Sequence, residues 1–320
     1  PQPGIIKNGC SFYDRCEISE EKCKNNSPQL EFIEKFNTSV RCFRHEKLHN
    51  QKEDKNSLVK TLENKVLENE ILKIYKKEIF GYLKSPMAYI VAASFFTITG
   101  FFFVASVSDA FSEASIRGFL AGAIFFMIFL SPALTMRLIA EEQKLGTMEL
   151  LMTSPLKDFE IVLGKFLAAL SLLSIMIVGT FFYPIVLFIF GVPDFGPIIT
   201  GYIGLLLYSA ATLSIGIFAS SLSSNQLVSL IVGSGILSFL TFINFVSSRI
   251  GGALGTILNE LQLGGSFSLF DSGSFGIAES GHFADFARGI INFYDLIFYI
   301  SICLIFLLLT IFSLESRRWS

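Results

Sequence analysis

The sequence predicts an all-α membrane protein with six transmembrane helices, an N-terminal interfacial helix and a small, irregular cysteine-rich segment before it. Two observations predict this fold class: long apolar runs and an uneven distribution of charge. Residues 1–84 hold 29 of the 52 charged side chains in a chain of 320 residues, although 52% of the whole is hydrophobic. The chain therefore divides into a water-facing part and a lipid-facing part.

Six runs in the second part are long enough to cross a bilayer, which takes roughly 20 mostly apolar residues. Runs such as "AASFFTITGFFFVA" have no polar face, so buried helices of a soluble protein are a poor alternative. Charged residues are absent from the middle of these runs, which argues against an ion-coupled carrier or a charged channel. The predicted spans are residues 87–107, 118–136, 166–190, 198–222, 227–246 and 293–314.

Lysine and arginine residues near the span ends predict the orientation. Three lie on one side: Arg117, Arg249 and Arg288. Ten lie on the other: Lys73, Lys76, Lys77, Lys84, Arg137, Lys144, Lys157, Lys165, Arg317 and Arg318. The excess of positive charge on cytoplasmic loops predicts a bacterial inner-membrane protein with both termini in the cytoplasm.

The residues before the first span have an amphipathic pattern. Leu72, Tyr75, Ile79 and Leu83 recur at helical spacing, with lysines on the other faces. We expect an elbow helix in the headgroup plane that turns into the bilayer near Pro86. An ordinary cytosolic helix is the alternative.

Residues 247–292 separate the last two predicted spans on the outer side. Their glycine and serine content, with scattered phenylalanines, predicts short interfacial or re-entrant helices. A single histidine, His282, is expected at the surface.

A charged segment, "RLIAEEQKLGTMELLMTSP", lies between the second and third spans on the cytoplasmic side. Glu141 and Glu142 need water or a protein interface, and Gly146 can interrupt a helix. Ser154 and Pro155 form a helix start. We expect a helix, a break and a second short helix that can take up movement from a partner; the alternative is a loop that only connects two spans.

This segment resembles the cytoplasmic signature of ABC-2 type exporter permeases, E-x-x-x-G-T-x-E-x-L-x-x-x-P. The matching residues, which with Glu141 would contact an ATPase, are Glu142, Gly146, Thr147, Glu149, Leu151 and Pro155. Residues 282–319 resemble the gliding-motility-associated branch, and the whole resemblance covers about residues 74–319.

The resemblance implies a permease subunit of an ATP-driven exporter, paired with itself or with a related permease. Because the chain lacks a GxxxxGK[ST] motif, ATP hydrolysis is expected in a separate ATP-binding subunit. The chain itself is expected to be neither an enzyme nor a nucleic-acid binder. The alternative from another class is a membrane assembly factor that transmits force without transporting a solute.

The N-terminal segment, residues 1–47, carries four cysteines: Cys10, Cys16, Cys23 and Cys42. Thiolates at this density suggest zinc or an iron–sulfur cluster, or else reduced structural cysteines, whereas no cofactor is predicted for residues 71–320. The segment resembles the C-terminal extension of ATP-binding subunits of oligopeptide and dipeptide transporters, which implies that the four cysteines are ligands of an iron–sulfur cluster. Either two neighbouring genes have merged, naturally or through a sequence error, or the permease has gained a regulatory tail that senses iron; the merger is the preferred interpretation. Residues 48–70 are a predicted charged linker.

Overall fold

The structure is a computed structural model that describes residues 21–26, 29, 31–33, 38–40, 71–108, 115–147, 157–191, 193–250, 252–264, 267–268, 276–277 and 281–318. The chain divides into two compact units, Pro1–Glu68 and Asn69–Ser320.

The N-terminal unit contains short regular elements where the sequence predicted an irregular segment. Helix α1 covers Glu21–Asn25, and strands β1 (Glu31–Ile33) and β2 (Thr38–Val40) pair antiparallel. Pairing between the strands satisfies backbone groups that an irregular chain would leave to water.

The second unit is a helical bundle. Its first four helices are α2 (residues 71–84), α3 (Pro86–Val107), α4 (Arg117–Thr135) and α5 (Ala140–Lys144). Four more follow: α6 (Asp158–Gly179), α7 (Phe182–Phe190), α8 (Phe195–Leu222) and α9 (Gln226–Ile250). The last part holds α10 (Gly252–Glu260), the short pair β3 (Phe267–Ser268) and β4 (Gly276–Ile277), α11 (His282–Arg288) and α12 (Phe293–Arg318).

Six helical stretches among the described residues are long and apolar enough to cross a membrane, which confirms the predicted fold class. The third begins at Asp158 rather than at Phe166, because the buried Glu160 carboxylate accepts the Lys157 backbone N–H at 3.1 Å and caps the helix start. The predicted short helices between the last two spans are confirmed as α10 and α11.

The elbow is confirmed as a helix that ends at Ser85. Ser85 has extended backbone, and Pro86 opens α3, where its missing N–H costs no helical bond. Of the predicted apolar residues, Tyr75 and Ile79 are half-buried, whereas Leu72 and Leu83 are 50% and 46% exposed.

The central helix is α8, which packs against α4, α6, α9, α11 and α12. Small residues permit this: a Cβ on Gly204 would lie 2.7 Å from the ring of Phe286 in α11. By contrast, only 17% of the apolar, membrane-spanning stretch of α3 is buried within the chain, and the same holds for α12. These two helices therefore face lipid or another subunit.

The third span is interrupted at Thr180, between α6 and α7. The Tyr202 hydroxyl in α8 donates to the Thr180 carbonyl at 2.9 Å, and its ring stacks on Phe181 with centroids 4.4 Å apart. The Thr180 carbonyl also accepts the Tyr183 backbone N–H at 2.9 Å, so the backbone at the interruption stays hydrogen-bonded inside the bundle, as a membrane interior requires.

Candidate functional site

The charged segment after the second span is anchored to the C-terminal end of α8. The Ser220 hydroxyl oxygen accepts the backbone N–H groups of Ile139 at 3.3 Å and Ala140 at 3.1 Å. The Gln143 side chain donates to the Ser221 carbonyl at 3.3 Å. These bonds satisfy donors at the start of α5 and hold this short helix against the bundle.

Lys165, in α6, is a buried lysine at the centre of an ion-pair cluster with two half-buried carboxylates, Glu78 of α2 and Glu142 of α5. The lysine is 1% exposed, and its Nζ lies 2.9 Å from Glu78 Oε1 and 2.9 Å from Glu142 Oε2. Nζ also donates to the Leu138 carbonyl at 2.7 Å. One ammonium group therefore connects the elbow, the segment after the second span and the third span.

The cluster is balanced in charge. Lys77 Nζ lies 3.8 Å from Glu142 Oε1, so two lysines face two carboxylates. Lys165 Nζ donates hydrogen bonds to Glu78 Oε1 and to the Leu138 carbonyl, whereas its contact with Glu142 Oε2 is an ion pair without hydrogen-bond geometry. Such pairing offsets the cost of removing the charge from water.

The sequence counted Lys165 among the cytoplasmic lysines just outside the predicted spans, whereas the structure places it inside α6, where it is buried. Burial follows from the earlier start of α6, because Lys165 then lies within the helix and beneath α2. Gly164 permits the contact: a Cβ there would lie 2.8 Å from Ile74 Cγ2. The sequence feature that could have indicated this burial is the position of the lysine inside "IVLGKFLAAL", an otherwise apolar run.

Two further bonds join the elbow to the end of α4. The Tyr82 hydroxyl donates to the Leu134 carbonyl at 2.8 Å, and Arg137 Nη1 donates to Ser85 Oγ at 3.2 Å. Burial, reinforced by the nearby Glu78 carboxylate, raises the pKa of Tyr82 well above its ordinary value. The hydroxyl therefore stays protonated and keeps its role as donor.

The predicted ATPase-contact residues divide into two groups. Gly146 and Thr147 are exposed, and next to them Leu145 is 67% exposed. Gly146 has φ +69°, a left-handed conformation that favours glycine, and it ends the helical run after α5. Glu149, Leu151 and Pro155 lie outside the described residues.

Glu141 and Glu142 are half-buried, and the Glu142 carboxylate is directed to Lys165 rather than outward. The contact role of the whole set stays a prediction. The cluster partners Glu78 and Lys165 were not among the residues that the sequence predicted for the site.

The opposite end of the bundle holds a second buried pair. His282 Nδ1 lies 2.6 Å from Asp295 Oδ1 and Nε2 lies 3.0 Å from the Glu260 carbonyl oxygen. His282 is 7% exposed, so its predicted surface position is wrong. The burial results from helix packing: Phe286 of the same helix packs on Gly204 of α8, which places α11 against the bundle.

Cys10, Cys16 and Cys42 lie outside the described residues, and Cys23 lies in α1. Metal binding by the four cysteines therefore stays a prediction. Measured iron and zinc contents of the purified protein would test it.

The fold and the cluster define a multi-pass membrane protein in which the charged segment between the second and third spans packs against the bundle. Residues 69–248 match the sequence profile of the ABC-2 type transporter family. Because the match covers more than half of the chain, the protein belongs to this family and is a permease subunit of an ABC transporter. A search of curated proteins gives no match.

Proposed function

We propose that the protein is the permease subunit of an ATP-driven exporter, and that the segment between its second and third spans takes up movement from a separate ATP-binding subunit. The observation that carries the proposal is the Lys165 cluster. It joins this segment, through Glu142, both to the third span and, through Glu78, to the elbow.

The cluster favours concerted movement of α2, α5 and α6. Separating a buried charge from its partner costs about 3–5 kcal/mol, so the separated state would be populated less than about 1% of the time. A force applied to α5 would therefore displace α6 and the elbow with it. Since α6 continues into the membrane and packs against α8, the displacement reaches the centre of the bundle.

The contact surface for the ATP-binding subunit would begin at the exposed residues Lys144–Thr147 and continue through Glu149, Leu151 and Pro155. The resemblance of these residues to the exporter signature supports this assignment. Leu145 also supports it, because a leucine 67% exposed at a charged, water-facing turn gains from being covered by a partner.

We also propose the setting of the transporter. Two copies, or one copy with a related permease, would form the pathway, in a bacterial inner membrane with both termini in the cytoplasm. The distribution of lysine and arginine supports the orientation. The similarity of residues 282–319 to the gliding-motility-associated branch supports a role in motility or secretion.

The test is purification of the full chain in mild detergent from its own host, with identification of bound chains and measurement of ATPase activity. We expect a co-purifying chain with ATP-binding-cassette motifs, and we expect Leu145→Glu to remove it. Ile290→Glu is the matched control, because Ile290 is 51% exposed at the opposite end of the bundle.

An undiminished complex in Leu145→Glu would refute the assigned contact surface. Reconstitution of the wild-type complex in vesicles then separates the two classes of function. ATP-dependent movement of a solute supports an exporter, whereas a nucleotide-driven change of shape without any transported solute would show an assembly factor.

A further inference from the structure

We propose that the elbow helix and the third span together form a binding site for one anionic phospholipid, with an acyl chain in the groove between α2 and α6 and the headgroup beside Lys76. This site does not depend on an ATP-binding subunit. It is built from residues of this chain alone, and it lies beside the Lys165 cluster rather than within it.

The groove is open along one side and has a volume of about 610 Å³. Its walls are nearly all carbon: Ile71, Leu72 and Tyr75 of α2 face a row on α6 from Leu167 to Ile175. The two serines in that row donate to carbonyls of their own helix, Ser171 to Ala168 at 2.9 Å and Ser174 to Leu170 at 2.7 Å. An occupant therefore finds hydrocarbon surface, which selects a hydrocarbon chain.

The direction of the groove fits an acyl chain. From Leu167 to Ile175 a helix rises roughly 12 Å, and this row leads along α6 away from Lys165 toward the middle of the span. Acyl chains of a bilayer lie in the same direction as a spanning helix. The open side of the groove lets the chain enter from the surrounding lipid without passing through the bundle.

The charge of the elbow fits a negative headgroup. Residues 71–84 carry four lysines, of which Lys77 pairs with Glu142, and one acidic residue, Glu78, which pairs with Lys165. Lys76 follows Leu72 by one helical turn, so the two share a face. Leu72, Phe80 and Leu83 are 50%, 57% and 46% exposed.

A face that combines exposed apolar side chains with lysines places the stems in the acyl boundary and the ammonium groups at the phosphates. Basic clusters next to a span attract anionic lipid. A second copy of this chain is a poorer occupant, because symmetric pairing at the groove would bring two positively charged elbows together.

The experiment is native mass spectrometry of the purified full chain, loaded with equal amounts of phosphatidylglycerol and phosphatidylcholine that carry identical acyl chains. We expect the protein to retain phosphatidylglycerol preferentially. Lys76→Gln should reduce this preference about fivefold, the effect of one basic side chain near an anionic surface. Lys76→Arg should keep it.

Ser171→Trp fills the groove and should reduce retention of both lipids. Thr97→Trp is its matched control, because Thr97 lies exposed on α3 and bonds only to its own helix, at Ala93. Equal retention of the two lipids by the wild type would overturn the charge selectivity, and unchanged retention in Ser171→Trp would overturn the groove. A dimer that dissociates in Ser171→Trp, with no effect on lipid, would show instead that the groove is a contact between copies.

Discussion

Lys165 shows how one residue can be both charged and buried at the edge of a membrane. Its ammonium group finds a carboxylate from α2, another from α5 and a carbonyl after α4, all within 2.9 Å. Each partner lies on a different element, so the charge is satisfied only when the three elements are assembled. Lys165 therefore both neutralises two carboxylates and holds three elements of the fold together.

Replacement of Lys165 by methionine should destabilise the protein, because Glu78 and Glu142 would face each other without the ammonium group. Loss of one partner of a buried pair costs about 3–5 kcal/mol, which lowers Tm by roughly 6–12 °C for a domain of this size. Thermal unfolding in detergent measures the change. Lys165→Arg, which keeps the charge, should lose less; an unchanged Tm in Lys165→Met would contradict a stabilising cluster.

His282 has an acceptor at each ring nitrogen, the Asp295 carboxylate and the Glu260 carbonyl. His282→Ala should loosen α10 and α11, because it leaves a buried carboxylate without its partner at a cost of about 1–3 kcal/mol. Hydrogen exchange of residues 252–264 and 281–288 should become faster, while that of α4 should not change. Tyr294→Phe removes only an exposed bond to Glu260 Oε2 and should have a much smaller effect.

At the scale of elements, α5 is too short to be stable alone and depends on its neighbours. Ser220 supplies the acceptor for its first backbone donors, and Glu142 connects it to α6. The helix is thus fixed on its inner side, while Leu145, Gly146 and Thr147 remain exposed at its end. This arrangement suits an element that receives a force on one side and passes it on from the other.

Ser220→Ala should release the start of α5. Loss of a side-chain acceptor at a helix start costs about 1 kcal/mol, so hydrogen exchange of residues 140–147 should be roughly fivefold faster. Ser221→Ala is the control, because the Ser221 hydroxyl bonds only within α8, to the Phe218 carbonyl at 2.8 Å. Equal exchange rates in the two variants would show that Ser220 does not hold α5.

At the scale of the whole molecule, the bundle has two different ends. One end carries the charged segment between the second and third spans and the elbow, joined by the Lys165 cluster. The other carries α10 and α11, where Arg117 Nε donates to the Ala287 carbonyl at 3.3 Å and Thr200 Oγ1 to the Phe286 carbonyl at 2.6 Å.

The orientation can be tested in intact cells with single cysteines in a background without the five native ones. Leu145→Cys should be protected from a membrane-impermeant thiol reagent added outside, and Ile290→Cys should be labelled. Both positions are more than half exposed, so access to the side chain is comparable. Labelling of Leu145→Cys from outside would invert the topology and refute the coupling proposal.

The sequence by itself determined the number of spans, their approximate positions, and a helix before the first span that breaks next to Pro86. These features follow from local properties: apolar length, helical periodicity and the geometry of proline. The same local properties placed Gly146 at the end of a helical run, as the structure shows.

Only the tertiary structure decided the partners of the charged residues. Glu78, Glu142 and Lys165 are far apart in the chain, and His282 is 13 residues from Asp295, so no local pattern predicts either pairing. Solvation explains the outcome: a charge near the membrane must find its counter-charge in three dimensions, and which residues supply it depends on how the helices pack.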